Sequence, residues 1–183
     1  MTAVLTRLAH RGPRAADRQQ SVPAALRPVA GTLRAGGLVM DEVAALFAAQ
    51  GCRGGMLFLD GVTCDPFRYV LPALALDDEH AAFYSATHAP AGQVMIGAST
   101  ASFGARDGGP FLHCHGRWMA EGREAMGHLL PFESRIARDA EVRGLGAPSA
   151  WFEGIHDAET NFTLFSAIGG DPDGTGVLAR LRP

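Results

Sequence analysis

The chain carries one helical period and then does not return to it. In LVMDEVAALFAAQG, residues 38–51, apolar side chains fall at 39, 43, 46 and 47, and Gly51 ends the run. That spacing predicts a helix with one buried face. RPVAGTLRAG before it reads as a strand closed by Gly36 and Gly37. After it come short runs set off by Gly, Pro and polar turns: GGMLFLDGV, FRYVLPAL, GQVMIGASTASFG, PFLHCHGRWM, EAMGHLLPF, the segment SRIARDAEVRGLG, and NFTLFSAI. The first is apolar with Gly at both ends, a buried strand. The second alternates and meets a proline, which suggests a sheet edge. One early helix followed by many strands on short turns predicts an α+β domain with a largely antiparallel sheet.

The length of 183 residues suits one domain with an arm or tail, and 47% hydrophobic against 19% charged residues is enough to bury a core. Residues 1–26 read as a basic, partly ordered arm, with Arg7, Arg11, Arg14 and Arg18 against the single acid Asp17. Ordering such an arm is expected to need a partner or a neighbouring subunit. Residues 27–168 form the domain, and 169–183, containing GGDPDGTG, form a tail of turn chemistry. A net charge of −3 gives nucleic-acid binding no help from the global balance. HRGPRAADR has arginines near Gly-Pro as an AT-hook does, but in the wrong order, and a solvated arm is the better reading. Three cysteines with no CxxC pair point to a reducing cytoplasm rather than a disulfide framework. No run of 18 apolar residues exists, so no membrane helix is expected. Dinucleotide-binding GxGxxG, the Lys-requiring phosphate loop, the calcium loop and GxSxG are all absent.

The densest chemistry lies in PFLHCHGRWMAEGREAMGHLLPF, Pro110 to Phe132, with three of the seven histidines. In a strand, His113 and His115 share a face and Cys114 points away. A turn centred on Glu121-Gly122 pairs residues whose numbers sum to 243, which sets His115 opposite His128. Directly opposite residues share a face, so the three imidazoles converge. A half-register slip would instead set His128 against Cys114 and break the cluster. Three neutral imidazoles suit zinc or another divalent first-row ion and leave a position open for water or substrate. The same pattern also fits sheet histidines bonded to neighbours or lining a subunit contact.

The segment from GASTASFG through GGPFLHCHGRWMAEGREAMGHLLPFESRIARDAEV resembles the core of the PPC domain, the plants-and-prokaryotes-conserved domain. There a strand with paired histidines is followed by a short turn and a Gly-His-Leu strand. RPVAGTLRAGGLVMDEVAALFAAQGCRGGMLFLDGV resembles its opening strand, helix and second strand. The resemblance spans roughly Arg27 to Ile168 and implies an α+β subunit assembled as a homotrimer. It also implies a zinc site at His113, His115 and His128. In plants the domain is joined to AT-hooks in DNA-binding proteins, which makes DNA a further expected partner.

Glu124 and Glu133 are candidate general bases for a metal-bound water, although surface carboxylates at such positions are common. Arg106 and Arg117 are candidates for holding a small anionic ligand. Against this, ARDGG is a good polar turn, and Arg117 suits an ion pair across a subunit boundary. Cys114, Trp118, Trp151 and Phe152 read as core or contact residues. His80 and His88 fall in a loop and read as solvated; GIHDAETN, around His156, reads as a turn before the last strand. Three functions follow. The first is a metal protein whose ion serves chemistry not written in the sequence, with hydrolase or lyase action on a small anion as its enzymatic form. The second is a DNA-associated regulator using the arm. The third is a purely structural metal.

Overall fold

Val39, Met40, Val43 and Phe47 fall on one side of a helical wheel and are all buried, which fixes the helix against the sheet. The computed structural model describes residues 9–170 and Gly176–Val177. Its elements are β1 (Arg27–Leu33), α1 (Val39–Ala49), β2 (Gly54–Phe58), β3 (Thr63–Cys64), β4 (Tyr69–Val70), β5 (Pro72–Leu74) and β6 (Ala82–Tyr84). They continue with β7 (Val94–Arg106), β8 (Gly109–Ala120), β9 (Arg123–Leu129), β10 (Ala140–Ala147), β11 (Ala150–Asp157), β12 (Phe162–Gly170) and β13 (Gly176–Val177). Among the described residues no helix is long and apolar enough to cross a membrane.

The fold is the expected α+β one. β1, β10, β2 and β7 pair in that order, and β7, β8, β9 and β4 continue the sheet, all antiparallel. The exception is β11, which runs parallel to the end of β7 at Phe152 and Gly104 and carries the β11–β12 hairpin beyond the main sheet. β5 and β6 form a separate two-stranded ribbon. The core lies between α1 and one sheet face, where Phe47 stacks on Phe103 with ring centroids 4.4 Å apart among Leu33, Leu57, Leu112 and Cys114.

Leu38, the residue before α1, has no capping side chain. The first helical N–H groups are satisfied by the loop that leaves β9: Val39 donates to the Ser134 carbonyl at 3.0 Å and Met40 to the Pro131 carbonyl at 3.1 Å. The Glu42 carboxylate reaches back to accept from the Arg34 N–H at 2.9 Å. Helix start and β9 exit are thus one joined unit.

On the sheet face away from α1, the arm and the β11–β12 hairpin stand over Ser102, and a row of apolar side chains beside them is left exposed. Leu145, Met56, Phe58, Met95, Met119 and Met126 are exposed there, with Met126 at 67%. The register makes them neighbours, since Leu145 opposes Met56, Met56 opposes Ser102, and Ser102 opposes His113.

Three local readings are sharpened. GIHDAETN is a turn only in its second half: Gly154–Asp157 belong to strand β11, and the turn follows at 158–161, where Asn161 takes φ 60°. His88 is exposed as expected but also stacks on Tyr69 at 4.8 Å, with their backbones bridged. His80 is tucked in, its Nδ1 2.9 Å from Asp77 and its Nε2 3.2 Å from the Asn161 carbonyl.

The arm finds contacts on its own chain. Gly12 N–H donates to the Glu159 carbonyl at 3.1 Å, and Ala15 N–H to the Glu159 carboxylate at 2.8 Å. Arg18 pairs with Glu159 at 2.6 Å and Asp157 at 3.1 Å. The Gln20 amide bonds both the Ser166 hydroxyl and the Ala167 N–H. Residues 12–20 therefore lie as a strap along the β11–β12 hairpin. Residues 1–8 of the arm, and 171–175 and 178–183 of the tail, lie outside the described residues.

Candidate metal centre

Glu121 and Gly122 sit at the tip of the β8–β9 hairpin with φ 53° and 75°, the pair of left-handed residues that a two-residue hairpin turn requires. The turn sets the register His115↔His128, Arg117↔Met126 and Met119↔Glu124, in which paired numbers sum to 243 as expected. At Gly127 any Cβ would lie 2.7 Å from the Val70 carbonyl oxygen. The glycine before His128 is therefore what lets β4 close over β9.

The structure brings His113, His115 and His128 together on the face opposite the core. Ring centroids are 4.7 Å apart for His113 with His115 and with His128, and 5.2 Å for His115 with His128. Each ring offers a nitrogen within 4.8 Å of the other two. Imidazole rotation narrows that spread to the roughly 3.3–3.5 Å between donors on a tetrahedral ion with ~2.0–2.1 Å bonds. The sites differ in access: His115 is exposed, His113 half-buried, and His128 is 9% exposed. Tyr84 of the β5–β6 ribbon packs on His128 at 5.3 Å, and Phe165 of β12 lies 6.1 Å from His113.

The electrostatics favour neutral rings. Burial, and then the neighbouring imidazoles His113 and His115, push the His128 pKa down to about 4. Burial, with a smaller contribution from His115, lowers that of His113. Both therefore present lone pairs at neutral pH. One observation tests whether a metal fits: His128 Nδ1 is buried with no hydrogen-bond partner among the described residues. A buried polar nitrogen left unpaired is costly, and an ion held by three neutral imidazoles would be its natural partner. The donor set fits. Among the described residues one other buried side-chain polar atom has no partner, Trp118 Nε1, and that ring packs against Phe67 and Tyr69, with centroids at 4.8 and 4.9 Å. Aromatic faces are weak acceptors, so that nitrogen has a different environment.

The other candidates do not join the cluster. Glu124 is exposed and pairs with Arg117 at 3.0 Å within the same hairpin. It stands four strand residues from His128, about 13 Å along β9. Glu133 is exposed in the turn after β9, its N–H donating to the Leu130 carbonyl at 3.1 Å. Arg106, at the end of β7, pairs with Asp107 at 3.4 Å and lies over Phe111 at 5.4 Å. Cys114 and Trp118 are in the core, and burial raises the Cys114 thiol to about 12. Tyr84 and Phe165, which flank the triad, carry no local motif. Only the alternation of NFTLFSAI marks Phe165 as facing something.

No family model matches the sequence, and neither does any curated protein. Solved structures do resemble it. A metal-containing protein from Archaeoglobus fulgidus is 16% identical, with 81% of this chain and 99% of that one aligned at a TM-score of 0.62. A plant- and prokaryote-conserved (PPC) protein from Pyrococcus horikoshii is 16% identical over 81% of this chain and 97% of that one, TM-score 0.61. A candidate DNA-binding protein from Ralstonia eutropha is 16% identical over 75% and 89%, TM-score 0.54. One early helix on a largely antiparallel sheet is the fold these structures share with this chain: the chain has the PPC-protein fold.

Proposed function

We propose that this chain is a PPC-family metal protein that holds one divalent ion, zinc foremost, on His113, His115 and His128. The observation that carries the reading is the unpaired, buried His128 Nδ1 inside a cluster of three neutral imidazoles. The Archaeoglobus protein's description as metal-containing supports it. His128 anchors from the buried side, His113 from the middle, and exposed His115 leaves the approach open to solvent. When bound, such an ion supplies Lewis acidity to whatever occupies its remaining position. The surrounding residues shape that position: Tyr84 and Phe165 flank it on two sides. Arg106 lies close enough to Tyr84 to lower its phenol pKa, a smaller effect than the burial that raises it. Arg106 is itself paired with Asp107, so the charge that would suit the site to a small anionic substrate for hydrolase or lyase chemistry is that of the bound ion.

Assembly as a cytoplasmic homotrimer belongs to the same proposal. Its support is the uncovered sheet face bearing Met56, Phe58, Met126 and Leu145, more apolar than a solvated sheet face usually is. DNA association is the weaker reading, because Arg18 of the arm is committed to Asp157 and Glu159. The test is elemental analysis of untagged protein prepared without chelators. About one equivalent per subunit is expected, lost in a His113→Ala, His128→Ala double variant; below about a tenth of an equivalent the reading fails.

A further inference from the structure

Between the arm and the β11–β12 hairpin lies a cavity of about 680 Å³, within the range of small-molecule sites. Its position relative to the triad is set by two residues. Ser102 on its floor is the direct β7 neighbour of His113. Phe165 in its wall faces His113 at 6.1 Å and stacks on Phe152, another wall residue, at 5.6 Å. Leu164 and Ile155 extend the apolar lining, and arm residues 15–20 form the roof.

The charges lining the cavity are largely spent. Arg18 is bound to Asp157 and Glu159, and Asp157 also accepts from the Thr160 hydroxyl and N–H. Asp17 accepts from the Gln19 N–H at 2.8 Å, and His156 is exposed at the margin. What remains is hydroxyl and amide: Ser102, Ser166, Gln19 and Gln20. Among the described residues no uncommitted cation lines the space, so the cavity itself suits the apolar body of a ligand rather than its charge. Three neutral imidazoles would leave a divalent ion with its full positive charge, which would draw the anionic head group of such a ligand.

We infer that this cavity is the ligand chamber of the metal centre and takes a small organic anion, such as a carboxylate, with an apolar, preferably aromatic, body. The carboxylate takes the position the three histidines leave open, and the body lies against Phe152, Phe165 and Leu164 beneath the arm. The inference rests on the proposed metal site and names its ligand class.

The test uses full-length protein loaded with cobalt(II), whose visible bands respond to a change of ligand. Acetate, phenylacetate and inorganic phosphate are titrated separately. Phenylacetate is expected to bind at least about tenfold more tightly than acetate, the order of effect that burying a phenyl ring gives, and more tightly than phosphate. Phe165→Ala, and independently Ala16→Trp in the exposed roof, should bring phenylacetate down to the affinity of acetate, with cobalt content measured on each variant. Equal affinities for acetate and phenylacetate in cobalt-loaded protein would overturn the chamber alone. So would a preference unchanged in both variants, which would put the phenyl ring elsewhere. Failure to take up cobalt would overturn the metal reading and the chamber with it.

Discussion

Replacing His128 by Leu in metal-free protein should remove part of the chain's sensitivity to acid. In the fold, burial and two neighbouring imidazoles hold the His128 pKa down to about 4, against 6.5 when unfolded. The unfolded chain therefore takes up a proton below pH 6.5 that the folded chain refuses. Stability falls through the window from 6.5 to about 4 and levels off below it. At pH 5 the linkage relation gives about 2 kcal/mol, and water reaching the open edge of the ring reduces this to about 1 kcal/mol. With a urea dependence of about 2 kcal/mol per molar, the wild-type midpoint should drop by roughly 0.5 M more than the variant's between pH 7.5 and 5. His80, whose pKa Asp77 raises, acts in the opposite direction in both proteins, and His113, lowered by burial and then by His115, acts in the same direction as His128 in both, so the difference reports residue 128. The depressed carboxylates Asp139, Asp157 and Glu159 lose their contribution only at lower pH. Equal losses in the two proteins would refute the view that this ring is held neutral by its surroundings.

Other consequences are open to simple measurement. Glu121→Asn at φ 53° should raise unfolding free energy by about 0.5–1 kcal/mol in urea melts, with metal content unchanged, because Asn tolerates that conformation better. Phe47→Ala, which removes a ring stacked on Phe103 in the core, should cost about 3–5 kcal/mol by the same assay. Phe58→Glu on the open sheet face should convert the proposed trimer to monomer by light scattering while leaving metal content near wild type. Cys64 and Cys114, with thiols raised to about 12 by burial, should resist iodoacetamide at pH 8 in native protein. Mass spectrometry should find both alkylated after urea.

The histidine hairpin was legible because everything that determines it is local. The Glu121-Gly122 turn fixes the register, strand alternation fixes the faces, and the residues lie within twenty-three positions of one another. The helix was legible for the same reason. Strand β11 was not: it has neighbours partway along both faces, so its burial lacks the alternation of a half-covered strand, and Glu153, His156 and Asp157 look like turn residues. The arm's docking was equally hidden, since Arg18 meets its partners 139 and 141 residues away. The stack of His88 on Tyr69 was hidden as well, since the two lie nineteen residues apart on segments with no shared pattern. Tyr84 and Phe165 reach the triad through tertiary packing that no periodicity encodes.

Four of the six methionines, Met56, Met95, Met119 and Met126, are exposed on the open sheet face; Met40 is in the core. A thioether is apolar and soft, and adding one oxygen makes it a strongly polar sulfoxide. If subunits meet through this face, peroxide would add polarity to the surface that joins them while leaving Met40 and the core behind the sheet shielded. The assembly would then come apart under oxidant before the fold did, and methionine sulfoxide reductases would be able to restore it. The same side chains that make the face adhesive would make its adhesion reversible by redox chemistry, with no cysteine involved.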